Sequence, residues 1–138
     1  MNWKLIFQLS VFGLIMAFAT VSLIPEMFEP VFWLVIFVFC AWVIAKACTG
    51  KYFMHGFLVS IVNCIWITIV HIIFVAKYIA AHPDNAKIAK AFPDSMAVHP
   101  RMEMAIVAPV FGVIFGIILG LFSLIASKIV KKPAAASN

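Results

Sequence analysis

The sequence predicts an all-α integral membrane protein, an antiparallel bundle of four transmembrane helices with a short amphipathic surface helix in its third loop. Three observations support this prediction. Of the 138 residues, 66% are hydrophobic and only 11% are charged, whereas a soluble domain carries about 25% charged residues. Four stretches are apolar enough to cross a membrane, and the charges lie almost entirely between them. A soluble domain, a disordered chain and a nucleic-acid-binding module are therefore excluded.

The four predicted spans lie at about 5–24, 31–48, 53–76 and 104–127, within a single transmembrane domain covering 1–138. Each is close to the roughly 20 apolar residues that cross about 30 Å of hydrocarbon. Pro25 ends the first span, Gly50 follows the second, and a basic tail (128–138) follows the fourth. Because the first two loops are short, we expect spans one and two, and spans two and three, to be antiparallel neighbours.

The third loop, 81–101, is longer and contains three proline steps. Proline is favoured at the first position of a helix. His82-Pro83 therefore predicts a short surface helix ending near Phe92, and His99-Pro100 predicts the start of the fourth helix. His82, His99 and Glu103 are only weak candidates for metal ligands, because a metal site needs three or four converging side chains. We expect no metal and no cofactor.

The distribution of charge predicts the orientation of the chain. With four spans, one side carries Lys4, Lys46, Lys51 and the lysines of the tail, while all five acidic residues lie on the other side. Lysine and arginine accumulate on the cytoplasmic side, so both termini are expected in the cytoplasm. We place the compact chain in a bacterial inner membrane. The net charge of +5 then reflects topology, and the expected partner is the lipid bilayer rather than nucleic acid.

Small residues line one face of the fourth span. At 100° per residue they fall within about 120° of arc, and contact between helices in lipid depends on close approach across such residues. One interpretation is packing within the bundle, against the small face of the first span (Ser10, Gly13, Ala17, Thr20). The other is a glycine-zipper interface with a second copy or another membrane subunit. The residues of this face are Ala108, Gly112, Gly116, Gly120, Ser123 and Ser127.

A polar stripe follows the third span, formed by Ser60, Asn63, Thr68 and His71. Ionisable side chains inside a membrane are candidates for function, and histidine exchanges protons near neutral pH. The stripe therefore predicts either hydrogen bonding within the bundle or a polar pathway.

Three hypotheses of function follow from these patterns. The chain contains no catalytic motif, such as GxSxG, HExxH or a glycine-rich phosphate loop, so we expect that it is not an enzyme. The first hypothesis is a structural or accessory subunit that forms a homo-oligomer or packs into a larger complex through the fourth span. The second is a small channel or proton-coupled transporter that uses the polar stripe. The third is a redox subunit that binds a cofactor or a quinone.

Overall fold

The computed structural model of the chain describes residues 1–83 and 99–130, and every regular element among them is helical. A 3₁₀ turn, Glu26–Phe28, joins the first two helices. The predicted surface helix after His82 and most of the basic tail lie outside the described residues. The helices are α1 (Trp3–Ser22), α2 (Glu29–Ala47), α3 (Tyr52–Ile73), α4 (Val75–Ala81) and α5 (Pro100–Ile129).

Four of these helices are long and apolar enough to span a membrane, by length and composition: α1, α2 with its preceding turn, α3 and α5. The prediction of an all-helical chain with four such helices is confirmed for the described residues. Hydrocarbon offers no hydrogen bonds to a backbone, so a helix that satisfies its own backbone is the form these segments can adopt there. The outward faces carry large apolar side chains such as Val35, Ile65 and Ile125.

Local residues set the ends of the helices. The Asn2 side chain accepts a hydrogen bond from the Leu5 backbone N–H at 3.1 Å and caps α1. Pro100 begins α5, where its missing N–H costs no helical hydrogen bond. Between α2 and α3, Lys51 adopts a left-handed backbone conformation with φ of 52°. This residue lies at the end of the four-residue connection, Cys48 to Lys51, that joins the two helices.

Helix α3 lies at the centre of the packing, between α1 and α5. Contacts advance in the same direction along α1 and α3, from Asn2 with His55 to Thr20 with His71. Contacts between α3 and α5 advance in opposite directions. Side chains near the start of α3 meet Gly120, and those further along meet Gly112.

The expected contacts of α2 with α1 and α3 are slight, and α2 packs chiefly against α5. A short loop limits how far two helix ends can separate, but it does not determine which faces of the helices are in contact. Contact is favoured at faces with small residues, because these let two backbones approach. Gly56 on α3 lies against the Leu119 backbone of α5. Helices α3 and α5 are therefore in close backbone contact at the centre of the bundle.

The third predicted span is interrupted at Phe74, where α3 ends and α4 begins. Backbone hydrogen bonds continue across the bend, from the Phe74 N–H to the Val70 carbonyl and from the Tyr78 N–H to the Phe74 carbonyl, both at 2.9 Å. The bend places Tyr78 in stacking contact with His71, with ring centroids 4.1 Å apart.

Candidate functional site: a cavity between α2, α3 and α5

A cavity of about 630 Å³ lies between α2, α3 and α5 and is lined at one end by α4. It extends along α3 from Ser60 to His71, which is roughly 17 Å at the helical rise of 1.5 Å per residue. Most of its wall is apolar, and the polar side chains lie at separate points along it. The four residues of the predicted polar stripe, Ser60, Asn63, Thr68 and His71, all line this one cavity.

Asn63 is the most unusual of these residues. Its side chain is 2% exposed, and both of its amide atoms lack a hydrogen-bond partner in the described part of the chain. A Cβ on Gly13 would collide with this amide, so α1 holds Asn63 against its glycine. A buried polar group without a partner costs about 1–3 kcal/mol. Because both amide atoms are themselves buried, a molecule in the cavity can pair with them only after the side chain turns away from Gly13.

Two neighbouring polar groups on α3 are engaged with backbone. The Thr68 hydroxyl donates to the Cys64 carbonyl of its own helix at 2.7 Å, and the Cys64 thiol donates to the Ala108 carbonyl of α5 at 3.0 Å. His71 is engaged by the Thr20 hydroxyl. Among the described residues, Asn63 is therefore the stripe residue with buried polar atoms that lack a partner.

Three stacked rings form the wall at the α4 end of the cavity. Tyr78 lies between His71 and His82, with ring centroids 4.1 and 4.3 Å away. Beyond the rings, His71 Nε2 lies 2.9 Å from the Thr20 hydroxyl on α1, and His82 Nε2 lies 2.8 Å from Glu29 Oε1 on α2. The three stacked rings and their two side-chain partners thus connect α1, α3, α4 and α2 across one end of the bundle.

Hydrogen-bond geometry places a proton between His82 and Glu29. His82 Nδ1 is 3.0 Å from the Tyr78 carbonyl, which can only accept, so Nδ1 carries a hydrogen. If Nε2 and the carboxylate both lacked a proton, two lone pairs would face each other at 2.8 Å. The pair therefore holds one shared proton. The His82 side chain is only 1% exposed and that of Glu29 is 23% exposed, so Glu29 is the more accessible member of the pair.

The weak metal candidates do not converge. His82 and Glu103 both line the cavity, but His99 is exposed and does not. No group of three or more histidine, cysteine, aspartate or glutamate side chains is placed to hold a metal ion within residues 1–83 and 99–130. His82 is also engaged by Glu29, so the described geometry does not favour a metal site.

The small-residue face of α5 is occupied by α3, not by the first span as the intrachain interpretation expected. A Cβ on Gly112 would lie 2.9 Å from Cys64 Sγ, one on Gly116 would lie 2.8 Å from the Phe57 ring, and one on Gly120 would lie 2.6 Å from the Phe53 ring. The small face of α1 also packs on α3, where the Trp66 indole donates to Ser10 Oγ at 3.2 Å. Small residues on α1 and α5 thus leave room for the large side chains of α3.

The other residues of this small-residue face either take part in the same contact with α3 or form hydrogen bonds within α5. Ala108 supplies the carbonyl that accepts from Cys64. Ser123 is buried beside Gly56 and donates to the Leu119 carbonyl at 2.8 Å. Ser127 donates to the Leu124 carbonyl at 2.7 Å.

Sequence reasoning missed Glu29 and the aromatic wall of the cavity. Glu29 and His82 lie 53 residues apart, so no local spacing connects them. The position of Glu29 in the sequence offered one indication of a role. It is the first residue of an apolar helix, where a charge is expected to lie at the membrane boundary. The aromatic residues of the wall, Trp33, Phe37, Phe111 and Phe115, lie among many others in the spans, and nothing in their spacing distinguishes them.

Comparisons of the chain with protein families, curated proteins and solved structures find no match. Its function is therefore argued from the cavity and the residues around it.

Proposed function

We propose that this chain is an integral membrane protein that binds a small, mainly apolar molecule with one polar group in the cavity between α2, α3 and α5. It performs no catalysis of its own. The helices form an antiparallel four-helix bundle in a bacterial inner membrane, with both termini in the cytoplasm as the lysine distribution predicts. The observation that carries the proposal is the buried Asn63 amide, unpaired on the wall of a largely apolar cavity.

The size and lining of the cavity support this proposal. Ligand pockets usually measure about 300–1,000 Å³ and combine apolar walls with a few polar groups that orient the ligand. A volume of about 630 Å³ lies in this range. Phe111 and Phe115 line the cavity and are also 48% and 41% exposed. These two rings therefore lie both on the cavity wall and on the outer surface of the described bundle, where an apolar molecule dissolved in the bilayer would contact them.

Filling the cavity tests the proposal. Val107 lines the cavity, whereas Val110, one turn along α5, is 58% exposed and does not. The probe is N-phenyl-1-naphthylamine, a neutral fluorophore with one N–H donor, titrated into nanodiscs that contain each variant. We expect saturable binding to the original chain and to Val110→Phe but not to Val107→Phe. Equal titrations for the two variants would reflect only partition into lipid and would overturn the proposal.

Association with other membrane subunits, or with a second copy, stays a prediction. The glycines first assigned to such an interface are filled by α3 side chains. A partner would have to use another face, so Gly116→Leu would disturb the fold and the association together. The mass of the gently extracted protein, with identification of everything that co-purifies, is the direct test. A lone chain would exclude a stable assembly.

Proton-coupled movement of the bound molecule is a second candidate, favoured by the shared proton of His82 and Glu29 at the cavity wall. The titratable groups around this pair are Glu26, Tyr78 and, further along the cavity, His71 and Glu103. The candidate predicts ligand flux in liposomes that depends on pH near neutrality and is lost in His71→Leu. Flux unchanged in that variant would remove His71 from the proton pathway. A redox role stays a prediction, tested by the visible absorption of the purified protein.

A further inference from the structure

Aromatic rings form a continuous wall across α2 and α5 on one side of the cavity. Trp33 and Phe37 have ring centroids 5.9 Å apart, Phe37 and Phe115 are 6.0 Å apart, and Phe115 and Phe111 are 6.1 Å apart. Tyr78 adds a fifth ring from α4. The face of an aromatic ring carries negative electrostatic potential and attracts cations, most strongly where water is excluded. The wall is therefore suited to a cation as well as to an apolar body.

The charged side chains of the cavity have the same sign. Glu29 and Glu103 both line it, and no lysine or arginine does so among residues 1–83 and 99–130. Glu29 shares a proton with His82, so that pair is neutral overall. Glu103 makes no ion pair within residues 1–83 and 99–130, so among these residues it is the acidic group of the cavity without an ionic partner.

We propose that the ligand of this cavity is a lipophilic organic monocation, whose apolar body packs on the rings of Trp33, Phe37, Phe111 and Phe115 and whose charge is balanced by Glu103. This inference rests on the proposed binding function and names its ligand class. Asn63 orients the buried end of the molecule through its unpaired amide.

A pair of probes with the same shape and opposite charge tests the inference: tetraphenylphosphonium and tetraphenylborate. Each is titrated into nanodiscs above neutral pH, where histidine is mainly uncharged, and binding is followed by tryptophan fluorescence. Trp33→Phe identifies the part of the signal that comes from the cavity. Because both ions also partition into lipid, the signal of the Val107→Phe discs is subtracted for each probe.

We expect tetraphenylphosphonium to bind at least about tenfold more tightly than tetraphenylborate, which corresponds to about 1.4 kcal/mol. Glu103→Gln should reduce that preference severalfold. The matched variant Glu26→Gln should keep it, because Glu26 carries the same charge near the same end of the bundle but does not line the cavity. An equal reduction in both variants would show an unspecific surface charge and would overturn the assignment to Glu103.

Failure of this inference is distinct from failure of the proposed binding function. In one outcome both ions bind equally, or the borate binds more tightly, while N-phenyl-1-naphthylamine still distinguishes Val107→Phe from Val110→Phe. The cavity is then a site for neutral molecules, and the assignment of a cationic ligand is wrong. If none of the three probes distinguishes those variants, the cavity is no ligand site and both proposals are wrong.

Discussion

Replacing Gly56 with alanine is the most direct test of the packing at the centre of the bundle. An added Cβ would lie 2.6 Å from the Leu119 carbonyl oxygen and 2.9 Å from its carbon. Ordinary van der Waals contact begins at 3.4 Å, so the separation must grow by about 0.8 Å. Because the obstacle is backbone, no side-chain rotation relieves it, and the whole of α5 must move away from α3.

The expected cost follows from this geometry. Overpacking costs about 1–3 kcal/mol, and the upper end applies when a helix must shift. A gap of 0.5–1 Å also forfeits a quarter to a half of the dispersion energy of the contacts that it opens. Alanine returns up to about 1 kcal/mol through its higher helix propensity. We therefore expect Gly56→Ala to lower the free energy of unfolding by about 2 kcal/mol.

The assay is reversible unfolding by dodecyl sulfate in mixed micelles, followed by tryptophan fluorescence. Gly50→Ala is the matched control, because a Cβ there meets no atom within 4 Å and its backbone φ is not positive. We expect that control to be unchanged or up to about 1 kcal/mol more stable. Gly120→Ala should fall between the two, since its obstacle is the ring of Phe53, which can rotate. Equal stabilities for Gly56→Ala and Gly50→Ala would refute the assigned contact.

Three further predictions concern polar groups. Asn63→Leu removes an unpaired buried amide and should stabilise the protein by about 1 kcal/mol while weakening the binding of N-phenyl-1-naphthylamine; a destabilised variant would mean that the amide has a partner. A double-mutant cycle on Glu29→Gln and His82→Gln should give a coupling energy of about 1–3 kcal/mol in the same unfolding assay, and zero coupling would contradict the shared proton. His55 Nε2 accepts from the Asn2 N–H at 3.0 Å while Nδ1 lies 2.8 Å from the Lys51 carbonyl, so His55→Leu leaves this N–H without its acceptor and should lower the free energy of unfolding by about 1 kcal/mol. An unchanged stability of His55→Leu in the same unfolding assay would disprove the contact.

The number and approximate limits of the spanning helices were predictable because hydrophobic length is a property of each segment alone. The same holds for the start of α5, since proline is favoured at the first position of a helix, where Pro100 lies. The convergence of Ser60, Asn63, Thr68 and His71 on one wall follows from helical periodicity, which places them on one side of α3. That periodicity does not show which helices or which cavity the polar stripe faces.

The choice of neighbours and the bend at Phe74 were not predictable from the chain. Every span has an apolar surface and most have a small-residue face, so the pairing of faces depends on how complete side chains fit together. Phe74 is neither proline nor glycine, the residues that usually mark a kink. The bend accompanies tertiary contacts of the segment beyond it, namely the stacking of Tyr78 and the hydrogen bond from His82 to Glu29.

The position of the cavity follows from the uneven distribution of small residues along α5. Gly116 and Gly120 lie in its second half, where a Cβ would strike Phe57 and Phe53, so α3 and α5 are closest there. The first half lacks glycine up to Gly112 and carries Met104 and Val107 on the side that lines the cavity. Larger side chains keep the helices apart, and α2, which barely touches α3, does not fill the space. The small-residue face of α5, which also favoured an interface between chains, thus lies where the helices of one chain meet, and the cavity lies beside the part of α5 that precedes Gly116.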